Sequence, residues 1–276
     1  FAKTIPSPCN PVQCRKLFQF GILNGQIFVV GFHFYGRVRR NHDRNGTISK
    51  DHAHFQGDAR KLLELFRDAP INGLVEDLEN LISRRPELAS CREDIARACD
   101  SFLSCYRAGN QVLLCGNGGS AADCEHIAGE LVKRFSRPRP LPSDLAEKLG
   151  PELASQLHGA LPALSLPSMV GFTTAFVNDD QPEFAFAQQV VAFGKPGDVL
   201  LAISTSGNSA NVVHAAKAAK ALGLTAIGLT GESGGELGSL CDLTIRVPAT
   251  EVPRIQELHL PVYHTLCQVV EDTLFP

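Results

Sequence analysis

Three groups of residues have the types and spacing to do chemistry. Ser204-Thr205-Ser206-Gly207-Asn208-Ser209 follows an apolar run at 198–203 and opens an Ala-rich stretch at 210–222. Four hydroxyls therefore gather where a strand ends and a helix begins. A helix N-terminus offers free N–H groups and a partial positive charge, so this run suits phosphate or another anion. Capping the helix would need only one of those hydroxyls. Gly207 lets the backbone bend close to a ligand. The second group, Cys115-Gly116-Asn117-Gly118-Gly119-Ser120, follows the apolar run Val112–Cys115 in the same way. Alone it would fit a tight turn. Paired with the Ser/Thr run, it suits two loops gripping the two ends of one small phosphorylated molecule.

The third group is an acid–base set. His126 and Glu130 stand four residues apart and share a helix face. Gln256 and His264 stand eight apart, about 80° around a helix axis. His259 falls about 60° from Gln256, on the side away from His264. An i,i+4 pair of this kind also arises on arbitrary solvated helices. If the residues converge, they supply a carboxylate base and an imidazole acid, with an optional divalent metal. Imidazole and carboxylate ligands suit zinc.

The elements that must position these residues follow from the apolar pattern. Leu62, Leu63 and Phe66 form a short stripe, and Leu74, Leu78, Leu81 and Ile82 form a helix face. Pro86 stops that helix. Ile95, Ala98, Phe102, Leu103 and Tyr106 continue the period to Gly109. Short apolar runs then alternate with helical stretches: strands at 112–115, 161–166, 198–203, 225–229 and 243–247, and helices at 121–135, 210–222 and 252–274. That alternation predicts parallel β-α-β units with both sheet faces covered. The fold class is α/β: a doubly wound, flavodoxin-like sheet of about five strands behind N-terminal helices. Residues 137–160 are rich in Pro and charge, and predict an inserted loop and short helix. Residues 1–55 lack a clean period and predict a poorly ordered or atypical segment before a domain at 56–276.

Composition removes several classes. A net charge of −3 argues against direct nucleic-acid binding. No apolar run is long enough for a membrane span. Nine cysteines, an odd number with no CxxC pair, predict reduced thiols and a cytoplasmic setting. The Ser/Thr run is neither a Walker loop nor a dinucleotide GxGxxG, and no nucleotide cofactor is expected.

Cys115 to Ser120, the His126…Glu130 helix, 204–211, 246–248 and 254–259 together resemble the phosphoheptose isomerases, a group of SIS-domain proteins. The resemblance runs from Leu74 to the end, outside 137–160. It implies sugar contacts at Asn117, Gly118, Gly119 and Ser120, with Asn178 and Asp179 lining the site. It implies phosphate binding at Ser204, Thr205, Ser206 and Ser209, a base at Glu130 and an acid at His264. Gln256 also falls among the substrate-binding positions. Some members bind zinc through positions matching His126, Glu130, Gln256 and His264. The family assembles as a homotetramer with sites between subunits. The implied reaction converts sedoheptulose 7-phosphate to D-glycero-D-manno-heptose 7-phosphate through an enediol. Residues 267–276 resemble the DnaA initiator-associating protein, which has the same fold and a different role. The alternative readings are therefore a non-catalytic sugar-phosphate-binding interaction protein, or a SIS enzyme for another phosphosugar. Pro261, between Gln256 and His264, predicts a kink that would turn His264 aside.

Overall fold

The computed structural model describes strands Leu17–Leu23 and Gln26–His33 and residues 71–275. The chain divides into two units, Phe1–Gln56 and Gly57–Pro276. In the first, β1 (Leu17–Leu23) pairs antiparallel with β2 (Gln26–His33), with a register shift at Gln19/Phe20. The rest of the expected poorly ordered segment, and the stripe at Leu62, Leu63 and Phe66, lie outside the described residues.

In the second unit, α1 (Ile71–Arg84) ends before Pro86, where a 3-10 turn leads into α2 (Arg92–Arg107). The sheet then builds from β3 (Val112–Cys115), with α3 (Gly119–Val132) after it. The segment at 137–160 holds α4 (Ser143–Ala154), interrupted at Gly150, where φ is +77°, and no residue of α4 is buried. Next come β4 (Ala163–Ser165), α5 (Val170–Asp179) and α6 (Ala185–Phe193). The chain closes with β5 (Val199–Ile203), α7 (Ala210–Ala221), β6 (Thr225–Thr230), α8 (Leu237–Leu240), β7 (Leu243–Arg246) and α9 (Val252–Leu274).

All five strands are parallel, in the order β4-β3-β5-β6-β7. This is the flavodoxin-like doubly wound order, which reverses between β3 and β5. Strand periodicity sends alternate residues to opposite layers. Val112, Leu114, Val199, Leu201 and Ile203 pack with Leu81, Phe102, Ile127, Leu258 and Val262 on one side. Leu113, Cys115, Leu200 and Ala202 pack with Phe186, Val190, Val212 and Ala216 on the other. Every residue of β3 and β5 is buried, so both strands read as unbroken apolar runs. The reversal leaves a crevice at their carboxyl ends, where both Gly- and Ser-rich loops emerge.

α9 passes through Pro261 as one helix of 23 residues. Its inner face carries a polar oddity. His259 is fully buried, and neither ring nitrogen meets a hydrogen-bond partner. Burial pushes its pKa down to about 4, with the nearby Thr230 backbone offsetting a little. Between pH 6.5 and about 4 the unfolded chain therefore holds a proton that the folded chain refuses, so stability falls as pH falls. A shift of this size corresponds to about 3 kcal/mol in total. Denaturant unfolding followed across that window will show the loss in the wild type, and it will be much reduced in His259→Gln. An unchanged slope in the variant would assign the loss elsewhere.

Candidate functional site

The anion loop starts at the end of β5. Ser204 is buried, and its Oγ lies 3.0 Å from Ser209 Oγ. Ser209 occupies the N-cap position of α7 without capping it through its side chain. The hydroxyls are thus not spent on capping, which was the simpler explanation of the run. Ser206 Oγ accepts the Asn208 N–H at 3.1 Å, and the Thr205 carbonyl accepts the Gly231 N–H at 3.0 Å. Gly207 turns the loop at φ +68°, and a Cβ there would strike the Gly234 carbonyl. Only glycine fits both conditions.

The Gly-rich loop leaves β3 beside it. Asn117 and Asn211 exchange two amide hydrogen bonds, each 2.8 Å, and so link the two loops side by side. Gly118 holds φ +55° at the start of α3. Gly119 packs so closely on the Gln256 amide that a Cβ would collide with it. That contact brings the first turn of α9 to the first turn of α3. Ser120 is buried behind the loop.

Further along the same two helices lies the acid–base cluster. His126 Nε2 is 3.4 Å from Glu130 Oε1 and 3.5 Å from His264 Nε2. Both imidazoles meet edge to face at 5.0 Å, and Phe135 lies 5.3 Å from His264. Pro261 therefore does not carry His264 away from the site. Tyr263 ties the helices together: its hydroxyl donates to Asp123 Oδ1 at 3.1 Å and lies 3.0 Å from His126 Nδ1. Burial and the neighbouring Asp123 push the Tyr263 hydroxyl far up, so it stays protonated. Since Tyr263 gives its proton to Asp123, it accepts from His126 Nδ1–H. This fixes the tautomer and leaves the Nε2 lone pair facing Glu130 and His264. A lone pair 3.4 Å from a carboxylate oxygen calls for a proton or a cation between them.

Donor separations of 3.4 and 3.5 Å match those between two ligands of a tetrahedral zinc with bonds of about 2.1 Å. The Tyr263 bond to Nδ1 is the outer support that such histidines require. Among the described residues, however, no three His, Cys, Asp or Glu side chains close around one point. Gln256 stands toward the Gly loop, away from this cluster's closest contacts.

Of the expected site residues, the structure brings together Asn117, Gly118, Gly119, Ser120 and Gln256 in one group. Ser204, Thr205, Ser206 and Ser209 form a second, and His126, Glu130 and His264 a third. Asn178 and Asp179 end α5, both exposed, and Asn178 donates to Asp179 at 2.7 Å. Three contributors escaped the sequence reading. Asp123 sits three residues before His126 on the same face, a signal that could have been used. Tyr263 carries no motif or spacing that the sequence reading used. Asn211 pairs across 94 residues, which local spacing does not reveal.

Burial, helped by the neighbouring His126, lowers the pKa of His264 below 6.5. The ring is therefore neutral near pH 7 and has one N–H to give and one lone pair to accept. NMR titration of the histidine rings will place the His264 midpoint below 6.5. A midpoint at or above that value would show that the Glu130 carboxylate dominates instead.

A SIS-domain family model matches residues 78–160 and 159–231. The chain is 44% identical over 187 residues to the phosphoheptose isomerase of Rhodospirillum rubrum, covering 68% of this chain and 89% of that protein. It is 42% identical over 187 residues to the enzyme of the same name from Shewanella sp. strain ANA-3, covering 67% and 85%. Solved phosphoheptose isomerases from Neisseria gonorrhoeae and Francisella tularensis are each 30% identical, with TM-scores of 0.55 and 0.56. Each aligns with 78% of this chain, and with 98% and 100% of its own chain respectively.

Proposed function

Because this chain belongs to the phosphoheptose isomerase family of SIS-domain proteins, we propose that it interconverts sedoheptulose 7-phosphate and D-glycero-D-manno-heptose 7-phosphate through an enediol. It is an aldose–ketose isomerase, an intramolecular oxidoreductase. One observation carries the mechanistic reading: Glu130 and His264 both lie within 3.5 Å of one nitrogen of His126. A carboxylate and a neutral imidazole held on opposing helices are what a proton moved between two carbons and two oxygens requires.

In the ketose-to-aldose direction, Glu130 takes a proton from C1. The C–H electrons form the C1=C2 bond as O2 gains a proton from His264. His264 then takes the proton of O1 while C1 becomes the aldehyde. Glu130 returns its proton to C2. The phosphate lies on Ser204, Thr205, Ser206 and Ser209, with Asn117 to Ser120, Gln256, Asn178 and Asp179 assigned to the sugar.

The donor set at His126, Glu130 and His264, with Gln256 near the loop, is also proposed to hold an optional zinc. Such an ion would stabilise the negative charge developing on the enediolate oxygens. A homotetramer is part of the same reading. α5 buries none of its residues, and Val170, Val177, Phe184 and Val191 stay exposed, a surface suited to a second copy. We place the enzyme in the cytoplasm, in keeping with free thiols at Cys91, Cys99, Cys105, Cys115, Cys124, Cys241 and Cys267. Among the described residues, no helix is long and apolar enough to cross a membrane. An interaction module akin to the DnaA initiator-associating protein would not need the Glu130–His264 geometry.

Glu130→Gln keeps the shape and removes the base. Its turnover of sedoheptulose 7-phosphate will fall at least 10²-fold while calorimetric affinity for the sugar changes little. Full turnover in this variant would remove Glu130 as the base, and no turnover in the wild type would end the isomerase assignment. Metal analysis of protein purified without chelator will find zinc in near-stoichiometric amount, and His126→Ala will lose it. A metal-free, fully active wild type would remove zinc from the mechanism.

A further inference from the structure

Glu130 sits in the last turn of α3, where a helix frays because its final carbonyls lack partners within the helix. Here those carbonyls are capped from outside. Arg139 donates through Nη2 to the Glu130 carbonyl at 3.0 Å and through Nη1 to the Leu131 carbonyl. Its Nε donates to Glu271 Oε1 at 2.7 Å, and both side chains are completely buried. The guanidinium lies 5.2 Å from the Phe275 ring centre. Glu271 gathers the chain just beyond that turn. It accepts the N–H groups of Phe135 at 2.7 Å, Ser136 at 2.6 Å and Arg137 at 2.9 Å, and the Ser136 hydroxyl at 3.0 Å. Burial alone would raise its pKa, but these donors and Arg139 outweigh burial and hold it below 4.5.

Glu271 also belongs to α9, seven residues past His264, which is two turns along nearly the same face. Phe135, whose N–H it binds, packs on the His264 ring. The pair thus touches the backbone of the base and the neighbour of the acid, while touching neither reacting group. We propose that Arg139 and Glu271 form a buried clamp that positions Glu130 against His264 for proton transfer. This gives the head of the 137–160 segment a role, and it rests on the isomerase reading above.

A buried ion pair is weak evidence for stability, since apolar replacement is often neutral. The clamp is therefore to be read in kcat and in the order of one helical turn. Arg139→Lys keeps a cation beside Glu271 but lacks the fork that reaches two carbonyls. Arg139→Met with Glu271→Gln removes both charges together, so no unpaired charge stays buried. Both variants and the wild type are to be assayed with sedoheptulose 7-phosphate, with thermal unfolding as the check on folding. Hydrogen–deuterium exchange is read on the peptide spanning 127–133. We expect kcat to fall about 10- to 100-fold with KM changed less than about threefold, since small misplacements cost rates of this order. Exchange of the last turn of α3 will quicken at least tenfold in Arg139→Lys. Unchanged kcat in a folded variant, a fall expressed mainly in KM, or unchanged exchange in Arg139→Lys would overturn the clamp. Failure of the double variant to fold while Arg139→Lys keeps full kcat would also overturn it, leaving a structural pair only. An inactive wild type would sink the isomerase reading instead, and the exchange result would still decide whether the clamp orders α3.

Discussion

The hydroxyl of Tyr263 joins two helices that the chain separates by more than a hundred residues, and the acid–base cluster depends on that joint. It donates to Asp123 and accepts from His126, both on α3, while Tyr263 itself belongs to α9. One hydroxyl thereby fixes the distance between the helices, the tautomer of His126 and the direction of its free lone pair. His264 is the next residue after Tyr263, so its approach to His126 is set by the same contact. Mostly apolar packing surrounds the joint: Val262, Leu266, Ile127 and Leu131 are all buried in one core layer. A hydroxyl between a carboxylate and an imidazole gives that layer the directional contact that apolar side chains lack.

The sheet supplies the other half of the site. Reversal of strand order between β3 and β5 opens a crevice at their carboxyl ends, and two helices begin there. Gly207 fits the Ser/Thr loop to its place, since a Cβ there would strike the Gly234 carbonyl, and Gly119 lets the Gln256 amide approach the other loop closely. The reciprocal amide pair of Asn117 and Asn211 keeps the loops in register. α3 starts at the Gly-rich loop and carries His126 and Glu130 away from it, so the helix sets the distance between that loop and the acid–base cluster. The Arg139–Glu271 pair closes the far end of that helix.

Much of this was legible in the sequence because it is local. The i,i+4 spacing of His126 and Glu130 gave a shared face, and the Ser/Thr run gave its position at a strand end. The five parallel strands were legible because strands buried on both faces become continuous apolar runs. What stayed hidden was non-local or ambiguous. Asn211 found its partner across the crevice, and Tyr263 belongs to no motif that the sequence reading used. α5 and α6 lie in a stretch of Val, Phe and Ala without a clear period, since α5 has no buried face to impose one. The expectation that Pro261 would turn His264 aside overstated a local rule. The helix runs unbroken through Pro261, and the contacts of the consecutive residues Tyr263 and His264 hold it against α3.

The central claim is that a proton leaves one carbon and returns to its neighbour through Glu130, whose side chain is 23% exposed and so exchanges with water. Conversion of sedoheptulose 7-phosphate in D2O, followed by NMR of the aldose, tests it most directly. The account predicts deuterium at C2 of the product. An aldose formed with protium alone at C2 would contradict a carboxylate that exchanges with water while it holds the proton.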